Sequence, residues 1–185
     1  MVSLLTLVFG ITAVAGEYRH KTITDTYLAT PRRGHVIAAK FAVYTAVGAI
    51  FGLMLAVTAV MATAVAITAN GGSLDLSNSD LWRTLAGGVA CNAAFAAIGV
   101  SLGALIPNLA AAIATALAWI ALVEGLIGEL ISDLEPWLPF AGGQALGRLP
   151  GAPDISQSAG GLLLAGYTIV FAALALTTSI RRDIT

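Results

Sequence analysis

The chain has 185 residues, of which 58% are hydrophobic and 10% are charged, and its mean hydropathy is +0.89. Soluble domains usually carry about 25% charged residues, so this composition excludes an ordinary soluble protein and predicts a membrane protein in contact with the lipid bilayer. The net charge of −1 gives no reason to expect a nucleic-acid partner, and the single cysteine, Cys91, excludes an intrachain disulfide.

Five apolar runs are predicted to cross the membrane as helices, since about 20 helical residues span a bilayer. They cover residues 1–16, 41–69, 84–106, 109–131 and 161–180. The second run has 29 uncharged residues, about 44 Å of helix, so it must tilt or project beyond the hydrocarbon core. None of the runs shows the two-residue alternation of membrane strands. We therefore predict an all-α, polytopic protein in which 1–185 form a single transmembrane domain.

The connection at 17–40 carries most of the positive charge. Five of the nine Lys and Arg residues lie there and two more lie at the C-terminus. Because Lys and Arg are enriched in cytoplasmic connections, this segment and the C-terminus are predicted to be cytoplasmic, which puts the N-terminus outside. A first span of only 16 residues that starts outside favours a preceding helix missing from the chain as given; the alternative is a genuine five-span protein.

Within this connection, residues 22–30 permit a short helix that presents Ile23 and Tyr27 on one face. Pro31 ends it, because the residue before a proline avoids helical geometry. Such a helix, flanked by cations, is either an interfacial anchor on anionic lipid or a knob that fits a partner's groove.

Gly99 and Gly103 are spaced four residues apart on the third predicted span. Small residues at this spacing let two helices approach closely. The pattern predicts close packing, either inside one subunit or between two subunits. The turn Pro107-Asn108 that follows is predicted to be tight and cytoplasmic.

Two acids in the fourth span are candidates for a transport pathway. From Leu109, Glu124 lies about 22 Å along the helix and Glu129 about 30 Å. A charged acid at the bilayer centre costs about 2.5–3.5 kcal/mol, so Glu124 should face a partner or a wet cavity. It is either a polar site in the outer part of the pathway or a carboxyl hydrogen-bonded to a neighbouring span. Glu129 lies nearer the interface.

The connection at 132–160 combines four prolines with Trp137, Leu138 and Phe140. This mixture is too apolar for a free loop. We predict a short re-entrant or interfacial helical hairpin that caps the outer mouth before the last span. It should start near Glu135 and break around Gly142-Gly143.

Three stretches resemble the ABC type-2 transporter permease family. Glu17-Tyr18-Arg19-His20-x-Thr22-Ile23, followed by Leu28-Ala29-Thr30-Pro31-Arg32-Arg33 and Lys40, is similar to the segment after the family's second span. "IGVSLGALIPNLAAAIATALAW" contains the turn between the third and fourth spans of this chain and resembles the family's glycine-rich turn followed by an alanine-rich helix. "VEGLIGEL", followed by "PWLPFAGGQAL", resembles the family's acidic span and the short outer helices before its last span. Together the matches extend over roughly residues 17 to 182.

The resemblance implies a membrane subunit of an ATP-driven exporter in a cell membrane, either a bacterial inner membrane or a plasma membrane. The five spans would be the second to sixth of six, and the subunit would pair with an identical or related permease. A cytoplasmic ABC ATPase would dock on a coupling helix. By resemblance the coupling residues are Glu17, Arg19, Thr22, Ile23, Tyr27, Leu28, Pro31 and Arg32.

No enzymatic activity, metal or cofactor is expected in this chain. It has no Gly-Lys dipeptide and hence no phosphate-binding loop, so ATP and Mg²⁺ are expected in the partner ATPase. Both histidines lie in the basic connection without metal-ligand spacing, which argues against an intramembrane enzyme. The alternatives are a proton-coupled carrier that uses Glu124, although no inverted repeat is visible, or a small membrane protein without transport activity.

Overall fold

The computed structural model describes residues 2–20, 33–131 and 133–181, and this part of the chain consists of helices and connections without a strand. The elements are α1 (Val2–His20), α2 (Arg33–Ala69), α3 (Ser79–Leu105), α4 (Leu109–Ala118), a π-helical turn (Trp119–Glu124), α5 (Gly125–Leu130), a 3-10 turn (Glu135–Trp137), α6 (Pro139–Leu146) and α7 (Gln157–Arg181). The prediction of an all-α fold is confirmed.

Within the described ranges, five helical stretches are long and apolar enough to cross a membrane. They are Val2–Arg19, Gly34–Ala69, Ser79–Leu105, Leu109–Leu130 and Gln157–Thr178. The number and order of the candidate spans agree with the sequence-based prediction. The bounds differ in one informative way: α1 continues through Glu17 to His20 and α2 begins at Arg33, so both ends of the basic connection are extensions of spans.

Helix α3 lies at the centre of the bundle and packs against α1, α2, α6 and α7. Its glycines make the closest approach. A Cβ at Gly99 would collide with the carbonyl oxygen of Leu7, and one at Gly103 would lie 2.6 Å from the carbonyl oxygen of Ile11. Gly10 of α1 faces α3 in the same way. Of the two interpretations of Gly99 and Gly103, the structure supports packing inside one subunit, because α1 occupies that face.

Two apolar clusters hold the helices together. One contains Leu7, Ile11, Phe95 and Leu164. The other joins Val14 of α1 to Ile37, Val100, Ala104 and Ala175. Because the second cluster joins late α1, early α2, late α3 and late α7, these helix ends meet at one end of the bundle.

The opposite end is closed by polar contacts. Arg148 donates to Asp80 over 2.8 Å. Gln157 Nε2 donates to the carbonyl oxygens of Arg83 and Leu146 at 2.7 and 2.9 Å. These contacts fasten the connection after α6 and the start of α7 to the first turns of α3.

The segment before α7 forms two short helical elements that start at Glu135, but the predicted break at Gly142-Gly143 is wrong. Helix α6 runs continuously through both glycines, and the chain instead leaves helical geometry at Leu138, with φ −80° and ψ 147°. The glycines serve packing. A Cβ at Gly142 would lie 2.7 Å from Leu163 Cδ2, and one at Gly143 would lie 2.6 Å from the ring of Phe95.

Candidate functional site

The predicted coupling residues fall into two groups. Glu17 and Arg19 lie in the last turns of α1, whereas Thr22, Ile23, Tyr27, Leu28, Pro31 and Arg32 lie outside the described residues. The structure therefore describes the helix ends on either side of residues 21–32, which are the end of α1 and the start of α2.

An ion pair links α1 to α2 close to these helix ends. Lys40 Nζ of α2 lies against Glu17 Oε2 of α1, and the two side chains are only 15% and 28% exposed. Neither of these two atoms has a hydrogen-bond partner among the described residues. The ion pair is therefore the interaction seen to offset the burial of both charges, and it fixes the spacing of the two helix ends.

Arg19 lies beside the turn between α3 and α4. Tyr18 and Arg19 line a surface pocket of about 660 Å³ together with Pro107, Asn108 and Leu109. Asn108 caps α4, since its side-chain oxygen accepts a hydrogen bond from the Ala111 N–H at 3.1 Å. We call this surface, defined by Arg19, Lys40 and the Pro107-Asn108 turn, the basic end.

The acid Glu124 lies at the other candidate site, where the helix that starts at Leu109 changes its winding. It ends the π-helical turn Trp119–Glu124, and its side chain is buried, with 8% exposure. Oε2 accepts a hydrogen bond from the Phe140 N–H at 2.9 Å. That N–H lies in the first turn of α6, where backbone donors have no partner within the helix. Single-turn π-bulges of this kind often mark functional sites.

The second oxygen of Glu124, Oε1, is buried and makes no hydrogen bond of good geometry within the described part of the chain. The Ala141 N–H and the Trp119 indole N–H are further donors that interact with the carboxyl group. Of the two interpretations of Glu124, the carboxyl hydrogen-bonded to a neighbouring element is therefore observed for one oxygen. The other oxygen makes no such hydrogen bond.

Two pockets share Glu124 in their walls. The apolar pocket, of about 290 Å³, is lined almost entirely by apolar groups and includes the rings of Phe95, Trp119, Tyr167 and Phe171. Tyr167 is held in place because its hydroxyl donates to the carbonyl oxygen of Trp137 at 3.0 Å.

The acidic pocket, of about 360 Å³, brings Glu124 together with Glu129, Glu135 and Gln144. The two predicted pathway residues, Glu124 and Glu129, thus line one pocket. Glu129 is exposed on α5. Glu135 was not identified as a site residue from the sequence. Its carboxyl carbon packs over Gly128, 3.5 Å from where a Cβ would stand.

The chemistry available at these sites is electrostatic. Within the described ranges, no group of three or more His, Cys, Asp or Glu side chains is arranged to hold a metal ion.

Comparisons of this chain with protein-family models, with curated proteins and with solved structures found no match.

Proposed function

We propose that this chain is the membrane subunit of an ATP-driven ABC exporter of the type-2 permease family, which pairs with a second permease and couples to a separate cytoplasmic ATPase. The observation that best supports this proposal is the Glu17–Lys40 ion pair, which joins the two helix ends on either side of residues 21–32. A segment that transmits the movement of a partner has to be attached firmly to the membrane helices, and the ion pair holds the two helix ends together.

The packing of α1 would carry a movement of these helix ends into the rest of the bundle. Helix α1 packs against α3 with backbone in close contact at Gly99 and Gly103, so in this proposal the two helices are expected to move together. A displacement at the basic end is then transmitted to α3, which contacts α2, α6 and α7. In this proposal ATP and Mg²⁺ bind in the partner ATPase, and its movement is received at residues 17–40.

The proposal is tested by purifying the tagged chain in mild detergent from its native membranes, identifying bound proteins and measuring ATPase activity. We expect a stoichiometric ATPase that is lost with Ile23→Asp and with Tyr27→Asp. Leu76→Asp makes the same kind of change in an exposed connection at the opposite end, so it serves as the matched control and should retain the ATPase.

Two results would contradict the proposal. A clean wild-type preparation without an ATPase would remove the exporter assignment. An ATPase that stays bound to both segment variants would mean that residues 22–30 anchor on lipid and do not receive the partner.

A second candidate, a proton-coupled carrier, is favoured by one observation: Glu124 is buried with one oxygen unpartnered among the described residues. Such intramembrane acids serve proton relays. In this case flux in proteoliposomes would need no ATPase, would collapse with an uncoupler, and would be lost in Glu124→Gln. Flux that survives the uncoupler and requires ATP would exclude the carrier.

A further inference from the structure

We propose that the apolar and acidic pockets together bind an amphiphilic organic cation, with its ring system in the apolar pocket and its ammonium group at Glu124. This inference rests on the proposed export function and names the class of cargo. It starts from the fact that Glu124, together with its neighbour Ile120 one turn away, lies in the walls of both pockets.

The apolar pocket suits a flat hydrocarbon body. Its walls come from α1, α3, the helix that starts at Leu109 and α7, and they contribute four aromatic rings. Its volume of about 290 Å³ is at the lower end of the range of small-molecule sites, which are typically concave, mostly apolar and provided with a few polar groups. The pocket alone would accept many apolar molecules, so the selectivity has to come from the groups at its edge.

Those groups favour positive charge. Glu124, Glu129 and Glu135 line the acidic pocket, and the described residues that line the two pockets include no Lys, Arg or His. An anion would be repelled here, and a neutral apolar molecule would leave the acids uncompensated.

The burial of Glu124 distinguishes this site from an ordinary acidic surface. Its side chain is 8% exposed, and its Oε1 makes no hydrogen bond of good geometry with the residues that the structure describes, although the Ala141 and Trp119 N–H groups interact with the carboxyl. A buried polar atom without a partner destabilises the protein, and a charge-assisted N–H bond to a carboxylate is among the strongest available. An ammonium ion would supply that bond, while Phe140 continues to hold Oε2.

Trp119 adds a second attraction for a cation. Its indole lies in the wall of the same apolar pocket as Glu124. A cation near the face of a tryptophan ring is attracted by the ring's electrons, more strongly where water is excluded. Because the indole N–H also interacts with the Glu124 carboxyl, a cation bound at that carboxyl would lie next to an aromatic ring.

The test compares two probes of nearly equal shape, 2-naphthylmethylammonium and the neutral 2-naphthalenemethanol. Binding to the full chain in phosphatidylcholine nanodiscs is measured by equilibrium dialysis, with empty nanodiscs as the background. We expect the ammonium to bind about tenfold or more tightly than the alcohol. Glu124→Gln should remove this preference and leave the affinity for the alcohol unchanged. Asp154→Asn removes an exposed acid outside both pockets and should change neither affinity.

Equal affinity of the wild-type chain for the two probes would overturn the proposal, and this comparison does not depend on the folding of any variant. A preference that persists in Glu124→Gln would also overturn it. The measurement needs no ATPase, so its failure is distinguishable from a failure of the proposed exporter function.

Discussion

Breaking the Glu17–Lys40 ion pair is expected to weaken the bundle and, if the proposed function holds, the binding of the proposed ATPase. The side chains of Glu17 and Lys40 are 28% and 15% exposed, their paired atoms Oε2 and Nζ are buried, and the pair joins the ends of α1 and α2. We propose Glu17→Gln, Lys40→Gln and the double variant, followed by the charge swap Glu17→Lys with Lys40→Glu.

The size of the effect follows from the burial of the pair. Fully exposed pairs contribute about 0.2–1 kcal/mol, whereas two charges 4 Å apart at an effective dielectric constant of 20 attract by about 4 kcal/mol before desolvation is subtracted. Because the paired atoms are buried but the side chains are partly exposed, the coupling free energy should lie between these limits, at about 1–2 kcal/mol. Each single variant should cost more than this, about 2–3 kcal/mol, because it leaves the other charge largely buried and unpaired.

The assay is a double-mutant cycle on reversible unfolding in bicelles, accompanied by the affinity of each variant for the ATPase. The charge swap should recover part of both the stability and the affinity. Free energies of unfolding that add within about 0.3 kcal/mol would refute the reasoning, because independent sites behave in that way. Coupling in stability without any change in ATPase affinity would leave the pair as a fold contact alone.

Three further changes test the packing and the helix ends. Gly99→Ala should lower the free energy of unfolding by about 1–3 kcal/mol, because the added methyl group would meet the backbone of α1. Gly166→Ala is the control in the same unfolding assay. A Cβ at Gly166 would meet no neighbouring element within 4 Å, so this change should be neutral or slightly stabilising. Asn108→Ala should cost about 1 kcal/mol by removing the cap of α4, and Asn108→Asp should retain most of the stability; equal losses would exclude the cap as the cause. Asp80→Asn removes the charge from an exposed ion pair with Arg148, so it should lower the free energy of unfolding only slightly, by an amount that shrinks as salt is raised from about 50 to roughly 500 mM. A large, salt-independent loss would contradict this.

The helices were predictable because their signal is local. A span of about 20 apolar residues can be recognised in the sequence without its neighbours. The glycines at 142 and 143 were misleading for the opposite reason. Their small size permits contacts with Leu163 and Phe95, which are distant in sequence, while α6 continues through both glycines.

The candidate site was predictable only in part. An acid inside an apolar run marked Glu124, but its partner is a backbone N–H, sixteen residues away, that any residue other than proline would provide at position 140. Glu135 gave no such signal, because it lies outside the predicted spans, where a single acid is not unusual. Its place beside Glu124 depends on how the chain folds back after α5.

The central claim, that residues 17–40 receive a separate ATPase, is tested most directly by site-specific photocrosslinking in native membranes. A benzoylphenylalanine residue replaces Ile23 in one variant and Leu76 in a second, as the control. We expect position 23 to form an adduct with a chain that carries a phosphate-binding loop, and position 76 to form none. Adducts of position 23 with lipid alone would contradict the account and make the segment a membrane anchor.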